Sequence, residues 1–228
     1  VTPYFHSIKP DLLKGEELDQ LLALGWYRMH QTVFTVSHLE QGDLYRVHWL
    51  RYALMQIKER ATHRRIRSRA GRFRVTIENV EAISAAHKQL HACYRASIDF
   101  EGAYSIEECL FGEQESVASI FDTKCVSIYD GDVLIAAGYF DVGATTAASI
   151  LHFFDPQYAR YSLGKYLILI TIDYLTEQGY KLYYPGYVVQ GLPKMDYKLF
   201  LGREVAEYFD PEVVAWKKFE ERILIPTK

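Results

Sequence analysis

Residues Leu163–Lys198 read LGKYLILITIDYLTEQGYKLYYPGYVVQGLPKMDYK. The first part is a long apolar helix, Leu163–Glu177, closed by Gly179. An apolar and aromatic strand follows at Leu182–Val189, then a turn carrying Gly191, Lys194, Tyr197 and Lys198. Upstream, Cys125–Tyr129, Val133–Val142 and Ala147–Phe154 have strand character. Asp130-Gly131 is a hairpin signal between the first two, and Asp155-Pro156 closes the third. A meander of antiparallel strands feeding a strand–helix–strand crossover predicts an α+β fold with a mixed central sheet flanked by helices.

The first third is patterned differently. Lys14–Leu24 carries helix-spaced leucines (Leu18, Leu21, Leu22) and stops at Gly25. Trp26–Val36 and Leu44–Ile57 read as extended segments around a Gln41-Gly42-Asp43 turn. Arg74–Ile77 predicts a short strand and Val80–Ile98 a helix. Ser105-x-x-Glu108 has the form of a capping box. Between these elements, Lys58–Arg74 holds eight Lys/Arg against one acid, in a chain whose net charge is −3. Such a block is a local positive patch. Arginine forks bind phosphate bidentately, and each neutralised phosphate releases counterions. A solvated loop or a set of ion pairs is the plain alternative.

Composition bounds the rest. With 228 residues, 49% hydrophobic and 24% charged, the chain can bury a core as one large domain or two small ones. No apolar run reaches the roughly 18 residues that span a bilayer, and no signal-peptide pattern is present, so a cytoplasmic protein with no membrane partner is expected. Cys93, Cys109 and Cys125 are isolated and not in metal-ligand spacing, which fits reduced thiols and predicts no metal site. His30, His48 and His152 fall within strand-like runs and read as packed side chains. No nucleophile elbow or Cys-His motif occurs. Eighteen tyrosines offer both ring faces and hydroxyls to a polar ligand.

The chemistry concentrates in the turn after the last strand. Two ammonium groups and a phenol within a few residues, beside glycines that admit a ligand to the backbone, suit an anionic or polar substrate. A strand–turn–helix with solvated lysines is the alternative reading.

The same residues carry a resemblance. Tyr184, Gly186, Tyr187, Lys194, Met195, Tyr197 and Lys198 fall on the Tyr-x-Gly-Tyr…Lys-Met-x-Tyr-Lys pattern of the aminoacyl-tRNA–protein transferases, the arginyl and leucyl enzymes of the N-degron pathway. Arg160-x-Ser162-Leu163-Gly164-x-Tyr166 resembles the same family. Arg64, Arg65 and Arg67 resemble its Ser-x-x-Arg-Arg-x-x-Arg-Arg segment, and Gly25-Trp26-Tyr27-Arg28 its entry segment. Where relatives follow that entry with a cysteine cluster, this chain has Val36-Ser37-His38-Leu39-Glu40-Gln41. Whatever those thiols do cannot be carried over, and His38 with Glu40 reads as surface. Pro185 stands where relatives usually have an apolar residue.

The order of elements is similar to the GNAT fold. The division expected is an N-terminal extension, 1–79, with a basic tRNA-contacting segment, and a GNAT-like transferase domain, 80–228. The resemblance implies transfer of an amino acid from charged tRNA, as co-substrate, to the N-terminal amine of a protein, with no other cofactor. It places Lys194, Tyr197 and Tyr187 in catalysis. Asp155, Ser162, Gly164, Tyr184, Gly186 and Lys198 are expected to bind substrate, and Arg64, Arg65 and Arg67 tRNA. Backbone N–H groups around Phe153–Phe154 and Tyr187–Val188 are candidates for an oxyanion site. Two alternatives differ in class: an acyl-CoA N-acyltransferase, and a noncatalytic RNA- or degron-binding relative. The first is disfavoured because aligning Gly164 with the last position of the coenzyme A loop leaves Ser162 on its first glycine and Ala159 on its basic residue. Which amino acid moves, which N-terminus accepts it and the oligomeric state are not specified by the residues.

Overall fold

A computed structural model describes residues 2–99, 103–112 and 119–225; the outermost residues, Val1 and Lys228, lie outside it. Through the first half, the described elements are β1 (Phe5–Ile8), α1 (Glu16–Ala23), β2 (Tyr27–Met29), β3 (Thr32–Val36), β4 (His38–Gln41), β5 (Asp43–Ala53), α2 (Ala61–Ala70), β6 (Arg74–Asn79), α3 (Ala85–Ala96) and α4 (Ile106–Phe111). The second half adds β7 (Thr123–Asp130), β8 (Val133–Val142), β9 (Thr146–Phe154), α5 (Leu163–Glu177), β10 (Leu182–Val189), β11 (Ala206–Asp210) and β12 (Ala215–Lys218). Short 3-10 turns occupy Pro156–Tyr161 and Pro193–Leu201.

Nine strands form one sheet in the order β12-β11-β5-β10-β9-β8-β7-β6, with β4 paired to β5. Every pairing is antiparallel except β9 with β10, the two strands joined by α5. A parallel pair needs a crossover, and α5 is that crossover. The α+β architecture and mixed sheet expected from the strand pattern are therefore present. β5 and β6 come from the first 79 residues, and β5 lies between β11 and β10 in the middle of the sheet. A separate sheet, β1-β3-β2, packs beside it.

Alternation along the strands divides the core. Leu50 and Tyr52 of β5, Val126 and Ile128 of β7, and Tyr183 of β10 face α2 and α5. Val47 and Trp49 of β5, with Tyr184 and Val189 of β10, face α1 and the small sheet. Cys125, Tyr139 and Phe153 face α3 and α4. Helix α5 is apolar nearly all round because the sheet covers one side and α2 the other.

The basic block 58–74 is a helix for most of its length. His63, Ile66 and Ala70 recur at helical spacing and are buried, while Arg64, Arg65 and Arg69 point to solvent. Arg67 turns inward and pairs with Asp173 of α5 and with Glu59. Two boundaries differ from the sequence expectation. The 80–98 helix begins at Ala85, because Ser84 caps it by accepting from His87 N at 3.3 Å. The extended run 26–36 breaks at His30, whose φ of 57° makes the β2–β3 turn. The Ser105 cap is present as expected: its Oγ accepts from Glu108 N at 2.9 Å.

No helix among the described residues is long and apolar enough to cross a membrane.

Candidate active site

The parallel pairing of β9 and β10 is brief. It runs from Leu182 opposite Thr146 to Tyr184 opposite Ala148, after which the two strands part. On its other side β10 shifts register against β5 between Tyr183 and Gly186. Pro185 sits at this irregularity, where a strand tolerates a residue with no N–H to donate. Gly186 follows with φ of 99°. The opening left between β9 and β10 is the candidate site.

The 3-10 turn Pro193–Leu201 lays Lys198 into that opening. Tyr52 of β5 fixes the turn by donating its hydroxyl to Lys198 O at 3.0 Å. Lys198 Nζ donates to Tyr187 O at 2.9 Å and lies 4.7 Å from the centre of the Tyr187 ring. It also approaches Met195 Sδ at 3.8 Å and the Tyr197 ring at 5.6 Å. Gly186 is favoured here by its left-handed backbone, and it lies against the Lys198 side chain, whose Cε would be in ordinary contact, 3.5 Å, with a Cβ. No carboxylate among the described residues pairs with this ammonium. Burial therefore lowers its pKa from the ordinary 10.5 to about 8.

His152 of β9 faces the same space. Burial, reinforced by the Lys198 charge, lowers its pKa to about 4, so the ring is neutral at physiological pH. Its Nε2 lies 3.3 Å from Ser149 Oγ. Gly138 on the neighbouring strand makes room for it, since a Cβ there would fall 2.7 Å from His152 Cδ2.

Three concavities meet around these residues. A cleft of about 700 Å³ lies between β2, α3, the parted strands and Lys198. A more apolar slot of about 540 Å³ is walled by Tyr94, Phe154, Met195 and Tyr197, with Lys165 and Lys194 at its rim. The cleft and the slot share Tyr94, His152, Tyr197 and Lys198. Through Ser162, Lys165 and Tyr197 the slot runs on into a groove of about 460 Å³ lined by Arg60, Arg65 and Arg69. The solvated face of α2 and the buried lysine are thus ends of one continuous path.

The fold gathers Tyr187, Gly186, Lys194, Tyr197, Lys198, Ser162 and Gly164 on that path, with Arg65 at its outer end. It sets others apart. Tyr184 shares the apolar cluster of Tyr187 but is fully buried, edge-on to Tyr27 and Trp216, and does not line the path. Asp155 accepts from Gln157 N at 2.9 Å and caps the 156–161 turn. Arg64 is exposed on α2, and Arg67 is engaged by Asp173 and Glu59. Ser162 does not cap α5 with its side chain; it holds a left-handed conformation, φ 56°, and its carbonyl accepts from Lys165 N and Tyr166 N.

Sequence reasoning read His152 as a packed side chain and passed over Tyr94 and Tyr52. Each comes from a separate element, and only their meeting gives them meaning. Among the described residues no group of three or more His, Cys, Asp or Glu side chains gathers to hold a metal ion.

The profile of the family described as "Arginine-tRNA-protein transferase, C terminus" matches residues 79–205, more than half of the chain. The chain belongs to this family. Of the residues that carried the resemblance after the last helix, Gly186, Tyr187, Lys194, Met195, Tyr197 and Lys198 line the cleft or the slot, and Tyr184 does not. Over 95 residues the chain is 30% identical to arginyl-tRNA–protein transferase 1 of Saccharomyces cerevisiae, covering 42% of this chain and 19% of that protein. Over 126 residues it is 29% identical to the aspartate/glutamate leucyltransferase of Shewanella sp. (strain MR-7), covering 55% and 51%. The chain thus spans about half the length, or less, of the curated relatives it matches. Among solved structures, the C-terminal domain of a putative lysylphosphatidylglycerol synthetase from Agrobacterium fabrum aligns with a TM-score of 0.46 at 20% identity, covering 62% of this chain and 48% of that one.

Proposed function

We propose that this chain transfers an amino acid from charged tRNA to the free α-amine of a protein, working in the cytoplasm where charged tRNA is supplied, on a GNAT-type topology. One observation carries the reading: a half-buried ammonium with no counter-ion among the described residues sits where two strands part, at the end of a path that begins on an arginine-lined helix.

In this reading the last phosphates of the tRNA follow the groove past Arg65, Arg69 and Lys165. The terminal base enters the slot between Tyr94, Phe154 and Tyr197, whose aromatic faces suit stacking. Lys194 at the rim meets the ribose or its phosphate. The aminoacyl ester then reaches Lys198, and the acceptor enters through the larger cleft.

The ester is already activated, so no covalent enzyme intermediate is required. The amine nitrogen bonds to the ester carbonyl carbon while neutral Lys198 Nζ takes the proton that nitrogen must shed. When the bond from that carbon to the ribose 3′ oxygen breaks, Lys198 returns the proton to the leaving oxygen. A pKa of about 8 suits both steps, because general acid–base catalysis works best when the group's pKa lies near the operating pH. His152, neutral across that range, is a hydrogen-bonding wall rather than the base.

Incubation with labelled aminoacyl-tRNAs and peptides of varied N-terminus tests the reading. Label is expected to pass to the α-amine of at least one peptide. An acetyl-CoA arm is expected to give no acetylation. Transfer from acetyl-CoA instead would replace the reading with the acyl-CoA one, and no turnover with any tRNA would leave a binding module.

The tRNA path makes a separate prediction. Arg64→Ala and Arg65→Ala together are expected to flatten the salt dependence of tRNA binding by roughly 0.7–0.9 for each phosphate they cease to neutralise. Arg67→Ala is expected to weaken the α2–α5 packing and lower the melting temperature first, since its guanidinium is held by Asp173. Salt titrations of these variants beside thermal melts check both parts. An unchanged slope in the Arg64/Arg65 double variant overturns this route.

A further inference from the structure

A smaller cavity of about 210 Å³ lies away from the cleft, between β5, the end of β10, β11 and the turn at Arg222–Ile223. Trp49 separates the two: it lines both cavities, stacking on Tyr27 at 3.8 Å and meeting Tyr187 edge-on at 4.9 Å. Two groups in the smaller cavity keep unused hydrogen-bonding capacity among the described residues. His48 is only 6% exposed; its ring meets the Ile223 backbone, and its Nε2 has no hydrogen-bond partner among the described residues. The Arg46 guanidinium, partly buried, makes no hydrogen bond or close ion pair with a described residue, although its charge is felt by Asp210 in the same cavity. The carboxylate nearest in role, Asp210, is already satisfied by Lys217 Nζ at 2.6 Å and Glu212 N at 2.9 Å. Arg222 is likewise paired, with Glu220.

Buried polar groups are ordinarily satisfied, and one left alone is destabilising. A guanidinium fork is matched in geometry by the two oxygens of a carboxylate or phosphate. We propose that this cavity binds a small oxyanion, carboxylate or phosphate, in the fork of Arg46 with the His48 imidazole beside it. The volume suits one such group and little more. The site does not depend on the transfer reading and uses none of its residues.

The charge state of His48 supports the assignment. Burial, then the Arg46 charge, lowers its pKa to about 4, so the ring is neutral near pH 7. An anion in the cavity favours the imidazolium, so binding takes up a proton and tightens as pH falls. The other ionisable groups facing the ring are Arg46, Arg222, Tyr4, Tyr208, Asp210 and, from β4, His38. Lys217 holds Asp210 below its ordinary pKa, so it stays ionised through the mildly acidic range and does not supply the pH dependence. Burial lowers His38 too.

The test is a titration of the whole chain with inorganic phosphate and, in parallel, with acetate, following the His48 ring by NMR. A saturable shift with a dissociation constant of about 1 mM or tighter is expected, with the His48 titration midpoint moved upward. Saturation by phosphate, by acetate or by both supports the site and identifies the preferred oxyanion. Arg46→Met is expected to weaken binding at least tenfold. Arg46→Lys, which keeps the charge but loses the fork, is expected to weaken it less and covers the case in which Arg46→Met does not fold. No saturable change at His48 with either anion, or equal binding by both variants and the parent, overturns the proposal. Phosphate that perturbs only the α2 arginines overturns it as well.

Discussion

Lys198→Met abolishes most aminoacyl transfer while leaving the fold intact: a fall of about a hundredfold to ten-thousandfold in rate is expected, the range that general acid–base groups contribute. The variant keeps an apolar side chain of nearly the same length against Gly186 and removes the ammonium that lies over the Tyr187 ring. That ammonium is held at a cost, because its pKa in the folded chain, about 8, lies below the ordinary 10.5. Between those two values the unfolded chain binds a proton that the native chain has released, so wild-type stability rises with pH across that window. Below pH 8 both states are protonated, and the folded state carries the full penalty of a buried charge. Lys198→Met is therefore expected to melt no lower than the parent at pH 7 and to lack the alkaline rise.

Lys198→Arg separates the two ways this side chain can act. A base must lose its proton, and arginine does not. Transfer by the parent is expected to climb through pH 8 and transfer by the arginine variant to stay near background. If the arginine variant retains transfer, or if the parent loses activity above pH 8, the working form is the cation. Lys198 would then be an electrostatic contact, and the base would have to be sought elsewhere in the cleft. Rates across pH for the three proteins, with thermal melts at each pH, are sufficient.

The largest stability effect is expected at Arg28. Its side chain is 2% exposed and its partner Asp141 1% exposed, with NH1 and Oδ1 2.8 Å apart. The same guanidinium donates to Thr123 Oγ1 at 2.9 Å, His30 O at 2.8 Å and Leu110 O at 2.5 Å, and lies over the Phe121 ring. One residue thus ties the β2–β3 hairpin, α4 and the main sheet. Arg28→Met leaves Asp141 buried and uncompensated, in a site where burial already raises its pKa. A loss of about 3–5 kcal/mol is expected from breaking such a pair on one side. Adding Asp141→Leu to that variant is expected to recover part of the loss, because the stranded charge goes with it. Denaturant melts of the single and double variants measure both. A single variant within about 0.5 kcal/mol of the parent, the range of an ordinary surface change, would show that the knot contributes little. Because α4 and β2 also wall the cleft, the single variant is expected to lose transfer together with stability.

Local pattern was enough for much of this chain. Leu163–Glu177 and Leu182–Val189 fall at the limits read from their periodicity, because Gly179 ends the helix and apolar residues continue unbroken to Val189. The hairpin at Asp130-Gly131 and the Ser105 cap are likewise set by neighbours in sequence. The signature Lys-Met-x-Tyr-Lys marked the site because its side chains come from a single turn.

Other features arise only when distant segments meet. Nothing local in Asp43–Ala53 says that it will lie between β10 and β11, since strand order depends on pairings more than a hundred residues apart. Arg64, Arg65 and Arg67 are equivalent as a basic run, yet helical rotation sends the third inward to Asp173. Tyr184 and Tyr187 share one motif and one apolar cluster, but Tyr27 and Trp216 seal Tyr184 from solvent and only Tyr187 lines the cleft. The pKa of Lys198 follows the same rule. Residue type supplies an ammonium, and chain order sets its place in a turn. Only the closing of β9, β10 and the 193–201 turn around it removes the water that would keep its charge, and that desolvation makes a common surface residue a candidate base.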